Sequence, residues 1–242
     1  MLNWRIHSVE ETASTNEDAR AGRPGDVFTA AYQTAGRGRL DHKWISPRGE
    51  NLMMSVVLDV ANLDPIQVAT LPLVAGVAVM KALETWIDSA RLAIKWPNDV
   101  WVEGRKIAGI LCERVNDCVI VGLGVNVLTR QFPDELRTRA TSLALACRDE
   151  IPHLTAVRDA VLAALSSLVA QWRTAGFASV KPDLDAHDAL KGHYLTVRQT
   201  DNDAERICGF CDGIAADGAL LLNGRPLYAG EAHIEHIIKI AP

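Results

Sequence analysis

Two arginines set between two glycines are the most chemically pointed residues in the chain. They stand in Gln33-Thr34-Ala35-Gly36-Arg37-Gly38-Arg39, with His42, Lys43 and Trp44 close behind. Each guanidinium is a planar donor fork suited to phosphate or carboxylate. Glycine lets the backbone take positive φ and come close to a ligand. The stretch reads as an anion-holding loop. A solvated surface loop, or an RGG-like tail for nucleic acid, is the competing reading of these residues alone. The positive charge is placed rather than spread. Residues 33–50 carry Arg37, Arg39, Lys43 and Arg48 against Asp41 and Glu50, in a chain of formal net charge −5.

Three further stretches carry chemistry. In Lys95-Trp96-Pro97-Asn98-Asp99 the proline fixes a turn and two short polar groups stand at its tip. Asp99 there suits Mg²⁺, which takes one or two protein carboxylates together with substrate phosphates; plain turn chemistry explains the same residues. In Lys106-Ile107-Ala108-Gly109-Ile110-Leu111 a lysine opens an apolar strand, and Gly109 leaves room for a flat ligand. A lysine snorkelling from a strand end is the plainer account. Gly122-Leu123-Gly124-Val125-Asn126 puts two glycines in an apolar strand, again a sign of close approach to backbone. It lacks the third glycine and following helix of a dinucleotide fingerprint, which excludes a Rossmann reading. Cys208 and Cys211 with His233 and His236 invite zinc, but the histidine spacing is too short and positions three apart on a strand face opposite sides.

These residues need elements to hold them. Ser14-Thr15-Asn16-Glu17 has the form of a helix start, with Ser14 able to cap and Glu17 at the capping-box offset. Strands are expected at residues 27–32, 52–58, 92–96, 100–102, 106–112 and 118–127. One long buried helix is expected from 63 to about 88. The clearest helix is 155–175, where Val157, Val161, Leu162, Leu165, Leu168, Val169 and Trp172 share a stripe and Gly176 follows the end. From Tyr194 short strands at 194–199, 206–210, 219–222 and 233–240 alternate with Asp/Asn/Gly clusters, the texture of a small β-barrel. The boundary falls near Leu190-Lys191-Gly192, which gives domains of 1–190 and 191–242.

Bulk numbers exclude several classes. The chain has 242 residues, 48% hydrophobic and 23% charged, an ordinary globular composition. No basic field draws it to DNA or an anionic membrane. The apolar stretch at 66–80 is shorter than the roughly 20 residues of a membrane helix. No signal peptide opens the chain, and five cysteines read as reduced thiols, so a cytoplasmic protein is expected.

Taken together, Ser14-Thr15-Asn16, the Gln33–Arg39 loop, Lys95–Asp99, Lys106–Leu111 and Gly122–Asn126 occur in the order seen in biotin protein ligases. Asp212-Gly213-Ile214, Asp217-Gly218-Ala219-Leu220-Leu221 and Gly230-Glu231 resemble that family's C-terminal barrel. The resemblance covers nearly the whole chain and corresponds to the short form without an N-terminal DNA-binding domain. It implies an α+β fold: a mixed β-sheet catalytic domain related to class II aminoacyl-tRNA synthetases, then a small SH3-like β-barrel. It implies biotin and ATP as substrates with Mg²⁺, formation of biotinyl-5′-AMP, and transfer of biotin to a lysine of a biotin carboxyl carrier domain. By the same resemblance Ser14, Thr15, Asn16, Gln33, Gly36, Arg37, Gly38, Arg39, Lys106, Gly109 and Gly124 surround biotin. Arg37, Arg39, His42, Trp44, Asn98, Lys106 and Asn126 face the nucleotide. Lys106, Arg39 and Asp99 carry the catalysis, with Asp99 the metal ligand. His42 departs from the pattern, standing where the family usually has an arginine. A lipoate–protein ligase of the same superfamily, a biotin-responsive repressor and a non-catalytic biotin-binding module are the alternatives. Only thirteen residues precede Ser14, too few for a helix-turn-helix, so no DNA binding is expected. A homodimer is left open.

Overall fold

The computed structural model describes residues 3–40, 42–147, 150–198 and 206–235. In chain order the strands and α-helices are β1 (Arg5–Thr12), α1 (Thr15–Asp18), β2 (Asp26–Gln33), β3 (Asn51–Asp59), α2 (Pro65–Ala69), α3 (Leu71–Leu83), β4 (Leu92–Lys95), β5 (Asp99–Val102), β6 (Arg105–Val115), β7 (Cys118–Asn126), α4 (Leu143–Ala146), α5 (Leu154–Ala175), α6 (Lys181–Ala186), β8 (Tyr194–Arg198), β9 (Arg206–Ile214), β10 (Leu220–Leu222), β11 (Arg225–Leu227) and β12 (Glu231–Ile234). Among the described residues the first seven strands make one mixed sheet in the order β1-β2-β3-β7-β6-β5-β4, and the last five make a second, β11-β10-β9-β8-β12. The fold is α+β with a small SH3-like unit at the C-terminal end.

The large sheet is antiparallel except at β1, which runs parallel to β2 through the α1 crossover. No strand was expected at β1. Every one of its residues but Thr12 is exposed, so it has no buried face to impress an alternating pattern. The inner strands behave as their sequences require. Ile94 and Ile110 face α3, whose Gly76 sits close to both, and α3 in turn packs on α5. The α5 stripe of Val157, Val161, Leu162, Leu165, Leu168, Val169 and Trp172 is buried, and Gly176 ends the helix at φ 71°. By length and composition α5 could cross a membrane, yet here that stripe is part of the core.

Two expectations need correction. The single helix over 63–88 is instead α2 and α3, broken at Thr70. Pro72 has no N–H to donate and belongs in a helix's first turn, so a new helix starts there. Thr70 is buried at the break, where its hydroxyl bonds Gln67 O (2.6 Å) and accepts from Trp172 Nε1 (2.9 Å). In the small sheet, β9 runs on to Ile214, β12 begins at Glu231, and β11 was not foreseen. Asp41, Gln199, His236 and residues 237–240 lie outside the described residues. Cys211 is buried and Cys208 exposed, as alternation along β9 dictates.

The second sheet is seated against the first. Trp96, buried in the turn after β4, donates its Nε1–H to Gly218 O (3.0 Å). Gly218 itself lies against Thr70 and Leu73. The small unit is thereby held beside the Pro97-Asn98 turn.

Candidate active site

Register places the site. Lys95 pairs with Asp99, Asp99 with Gly109, Gly109 with Gly124 and Gly124 with Met53, one row across the sheet. A second row joins Leu111, Gly122 and Ser55. Gly122 and Gly124, two apart on β7, share a face. The glycines are required by the chain's own side chains. A Cβ at 122 would stand 2.2 Å from Asn16 Oδ1, and one at 124 would stand 2.5 Å from the Trp44 indole. At 109 a Cβ would meet the Lys106 amine at 2.9 Å and Trp44 at 3.3 Å. The room expected for a flat ligand is filled here by an indole.

Around Gly122 lies a continuous polar chain. Ser14 stands at the start of α1, but its backbone carbonyl, not its hydroxyl, takes the Glu17 and Asp18 N–H groups, so the expected side-chain cap is absent. That start carries buried Thr15 and Asn16 under the sheet face. Asn16 Nδ2 donates to Glu113 Oε2 (2.6 Å), and Asn16 Oδ1 accepts from Ser55 Oγ (2.6 Å). Ser55 Oγ is also 2.7 Å from Thr15 Oγ1. Gln33 Oε1 accepts from the Thr15 backbone N–H (2.7 Å), with the Thr15 hydroxyl 3.0 Å away. With its oxygen so used, Gln33 presents its amide nitrogen beside Gly36, whose missing Cβ would be 3.0 Å away.

The arginine loop is a small hairpin. Arg37 bridges to Lys43, Gly38 N–H donates to His42 O (2.6 Å), and Trp44 N–H donates to Gly36 O (3.0 Å). The glycines serve closeness rather than handedness. Neither Gly36 nor Gly38 has positive φ; the left-handed residue is Leu40, at φ 50°. A Cβ on Gly36 would strike Trp44 O at 2.5 Å. Arg37 pairs with Glu113 (3.1 Å). Arg39 reaches Asn98 Oδ1 (3.4 Å) and Gly230 O (3.3 Å), tying the hairpin to both sheets. His42 faces Glu231 at 3.9 Å.

Beneath Trp44, Lys106 Nζ meets Asp99 Oδ1 at 2.7 Å. Burial lowers the Arg39 and Lys95 pKa values, against the pull of Asp99 and Glu231 on both. Three cations, Arg39, Lys95 and Lys106, thus gather about two carboxylates in a half-desolvated place. The open cleft, about 840 Å³, is lined by Gln33, Gly36, Arg37, Gly38, Arg39, His42, Trp44 and Asn98 among others. Lys106, Gly109 and Gly124 lie behind the Trp44 ring, and the indole Nε1 is buried without a partner. Asn126, two positions after Gly124 and on the same face of β7, is buried and donates to Thr141 O (3.0 Å).

The sequence reading passed over Glu113, Ser55 and Lys95. A signal was present for each. Ser55 is a lone polar residue in an apolar strand, Glu113 is a carboxylate continuing an apolar one, and Lys95 opens the proline turn. The partners of Ser55 and Glu113 are far away in the chain, so nothing local separates those two from surface residues, whereas Lys95 pairs with Asp99 only four positions on.

The chain is similar to the biotin–[acetyl-CoA-carboxylase] ligase of Mycobacterium tuberculosis, 32% identical over 246 residues, covering 97% of this chain and 90% of the relative. It is also similar to the bifunctional ligase/repressor BirA of Bacillus subtilis, 33% identical over 229 residues, covering 90% of this chain and 67% of that one. The solved structure of the biotin protein ligase from Aquifex aeolicus in complex with biotin and ATP superposes with a TM-score of 0.81 at 28% identity, covering 95% of this chain and 98% of the other. The profile of the Biotin/lipoate A/B protein ligase family matches residues 6–126. That span runs from β1 through β7 and contains the polar chain, the arginine hairpin and the Lys106–Asp99 pair, and the chain belongs to this family.

Proposed function

We propose that this chain is a biotin–protein ligase that joins biotin to ATP, giving biotinyl-5′-AMP and pyrophosphate, and then passes biotin to a lysine of a biotin carboxyl carrier domain. The observation that carries the reading is the cluster of Arg39, Lys95 and Lys106 about Asp99 and Glu231, beside a cleft lined by Arg39 and by Gln33, the end of the Asn16–Ser55–Thr15–Gln33 chain. In the first step a carboxylate oxygen attacks the α-phosphorus and the bond to pyrophosphate breaks. Two anions must meet, so cations have to stand where negative charge concentrates. Lys106 is placed to hold the biotin carboxylate against the phosphate, and Arg39 and Arg37 to hold the phosphates. In the second step the lysine amine attacks the acyl carbon and AMP leaves. Holding both partners in line supplies most of the acceleration.

The polar wall suits the ureido end of biotin. Gln33 offers N–H donors, and buried Thr15 and Asn16 are held rigid behind it. Trp44 and Asn98 flank the nucleotide side, with His42 at the mouth. Magnesium fits as a guest of the nucleotide: among the described residues no three His, Cys, Asp or Glu side chains are arranged to hold a metal ion by themselves. One carboxylate with phosphates is an ordinary magnesium set. Asp99 would hold the ion with the oxygen that Lys106 leaves free, and the ion would offset phosphate charge.

In this reading residues 1–190 form the catalytic domain and 191–242 the barrel, whose Gly230 and Glu231 close one edge of the cleft. The protein works in the cytoplasm, where ATP and reduced thiols are found, and takes no part in DNA binding, in keeping with a net charge of −5. Light scattering reads whether it is a monomer or a homodimer. The deciding experiment is a mass spectrum of a carrier domain after incubation with the protein, ATP and biotin. One biotin adduct is expected, with pyrophosphate released. An adduct with lipoate and none with biotin would move the chain to the other branch of the family. Biotin binding without pyrophosphate release would make it a binding module.

A further inference from the structure

Glu113 joins the polar chain to the arginine hairpin, bonding both Asn16 and Arg37. Its side chain lines the cleft and is only 23% exposed. Oε2 takes Asn16 Nδ2 at 2.6 Å and Arg37 at 3.1 Å, while Oε1 takes Arg37 at 3.3 Å. Arg20 adds a longer contact to Oε1 at 3.7 Å. Glu17, the other acid nearby, is 3.7 Å from Arg37 and 3.9 Å from Arg20, and it is far more exposed. Hydrogen bonds between ionised partners are about twice as strong as neutral ones. Glu113 is therefore the stronger holder of the hairpin.

We propose that Glu113 is a positioning residue for biotin: it anchors the arginine hairpin through Arg37 and, through Asn16 and Ser55, holds the Thr15 side chain that stands beside Gln33. The chain has one consistent direction. Asn16 spends an amide hydrogen on Glu113, which turns its oxygen to Ser55. Ser55 has a single proton, which goes to that oxygen because an amide oxygen can only accept. The Thr15 hydroxyl then donates to Ser55 Oγ (2.7 Å), and the Thr15 backbone N–H holds Gln33 Oε1 (2.7 Å), which leaves the Gln33 nitrogen for the ligand. Without the acid at 113, the Asn16 amide has no reason to keep its oxygen on Ser55, and Arg37 is free to leave with the hairpin. Glu113 reaches the reaction only through these neighbours, so its removal should affect biotin binding and hairpin order more than the chemical step.

This inference rests on the biotin-ligase reading, and wild type tests that reading first by biotin-dependent pyrophosphate release. Glu113→Gln keeps an acceptor for Asn16 and removes the charge facing Arg37. It is expected to raise KM for biotin about tenfold, as loss of a charged hydrogen bond implies, with kcat changed less than about threefold. Trypsin cleavage after Arg37 in the ligand-free protein should speed up, and Tm should stay close to wild type. In Glu113→Ala the biotin KM should rise further. Combining Glu113→Gln with Arg37→Gln should give less than the product of the two single effects on biotin KM. Glu113→Asp covers the case in which the other variants fold poorly. Unchanged biotin KM in a folded variant, effects that multiply independently, or a fall in Tm with kinetics intact would each overturn the proposal. Absence of activity in wild type would instead overturn the parent reading.

Discussion

The Asn16 carboxamide occupies the place where any side chain on residue 122 would begin: a Cβ there would be 2.2 Å from Oδ1. The glycine in β7 and the asparagine in α1 are thus one feature, although 106 positions separate Asn16 from Gly122. Gly122→Ala should push Asn16 off both Ser55 and Glu113. We expect a stability loss of about 1–3 kcal/mol from overpacking and a weaker hold on biotin, read by thermal melting and by titration with biotin. Wild-type affinity in the alanine variant would show that the Asn16 position is immaterial to the ligand.

Lys106→Ala should lower the rate of adenylate formation by orders of magnitude, since one contact to developing negative charge supplies about 3–4 kcal/mol of barrier reduction. The fold should survive, because Lys106 lies at a rim with 35% of its side chain exposed. Pyrophosphate release in a variant with native circular dichroism is the measurement. A wild-type rate would reduce Lys106 to a partner of Asp99.

The arginine hairpin carries three trypsin sites, Arg37, Arg39 and Lys43. Closing over a labile anhydride requires it to be ordered when both substrates are bound. Cleavage after these arginines should slow with biotin and ATP together. Equal rates with and without ligand would argue that the hairpin is no lid.

Asp26 joins β1 to β2. The Arg23 backbone N–H above all, with His7 and Arg5, brings its pKa from 3.8 down to about 2. A carboxylate lowered on folding stabilises the protein at pH above its unfolded value, and that contribution is lost as pH falls through the folded one. Acid melting should therefore steepen between pH 4 and pH 2. In Asp26→Asn the steepening should shrink, with a loss at pH 7 of about 1–3 kcal/mol, the scale of hydrogen bonds to a charged group. Matching pH profiles would remove Asp26 from the account.

Asp188, just before the small sheet, has the opposite sign. Burial raises its pKa, against N–H bonds from Leu190 and Lys191, and its Oδ2 is buried without a partner. A carboxyl raised on folding favours the native state most at low pH, and the advantage fades as pH rises through the folded value. Asp188→Asn keeps an acceptor for the two N–H groups and removes the buried charge. We expect its Tm to exceed wild type at pH 7 and the gap to close near pH 4. A lower Tm at pH 7 would show that the charge itself is needed there.

Local sequence determined much of this protein. Apolar runs and the α5 stripe set the inner strands and the longest helix, because burial on one or both faces leaves a period in the residues. Pro72 marked the break between α2 and α3, although the apolar surface on both sides hid it. The motifs placed Gln33, Arg37, Arg39, Asp99 and Lys106 by their types and order. Only the tertiary structure decided what each glycine makes room for. A missing Cβ shows that something comes close, while the identity of the neighbour depends on register across strands distant in the chain. That register put Asn16 over Gly122 and Trp44 over Gly109 and Gly124. It also showed Glu113 to be an anchor, which its place at the end of an apolar run could not, because a carboxylate acquires that role from partners some 76 and 97 positions away. Edge strand β1 was hidden for the complementary reason: a strand with one neighbour and no buried face needs no alternating apolar pattern in its side chains.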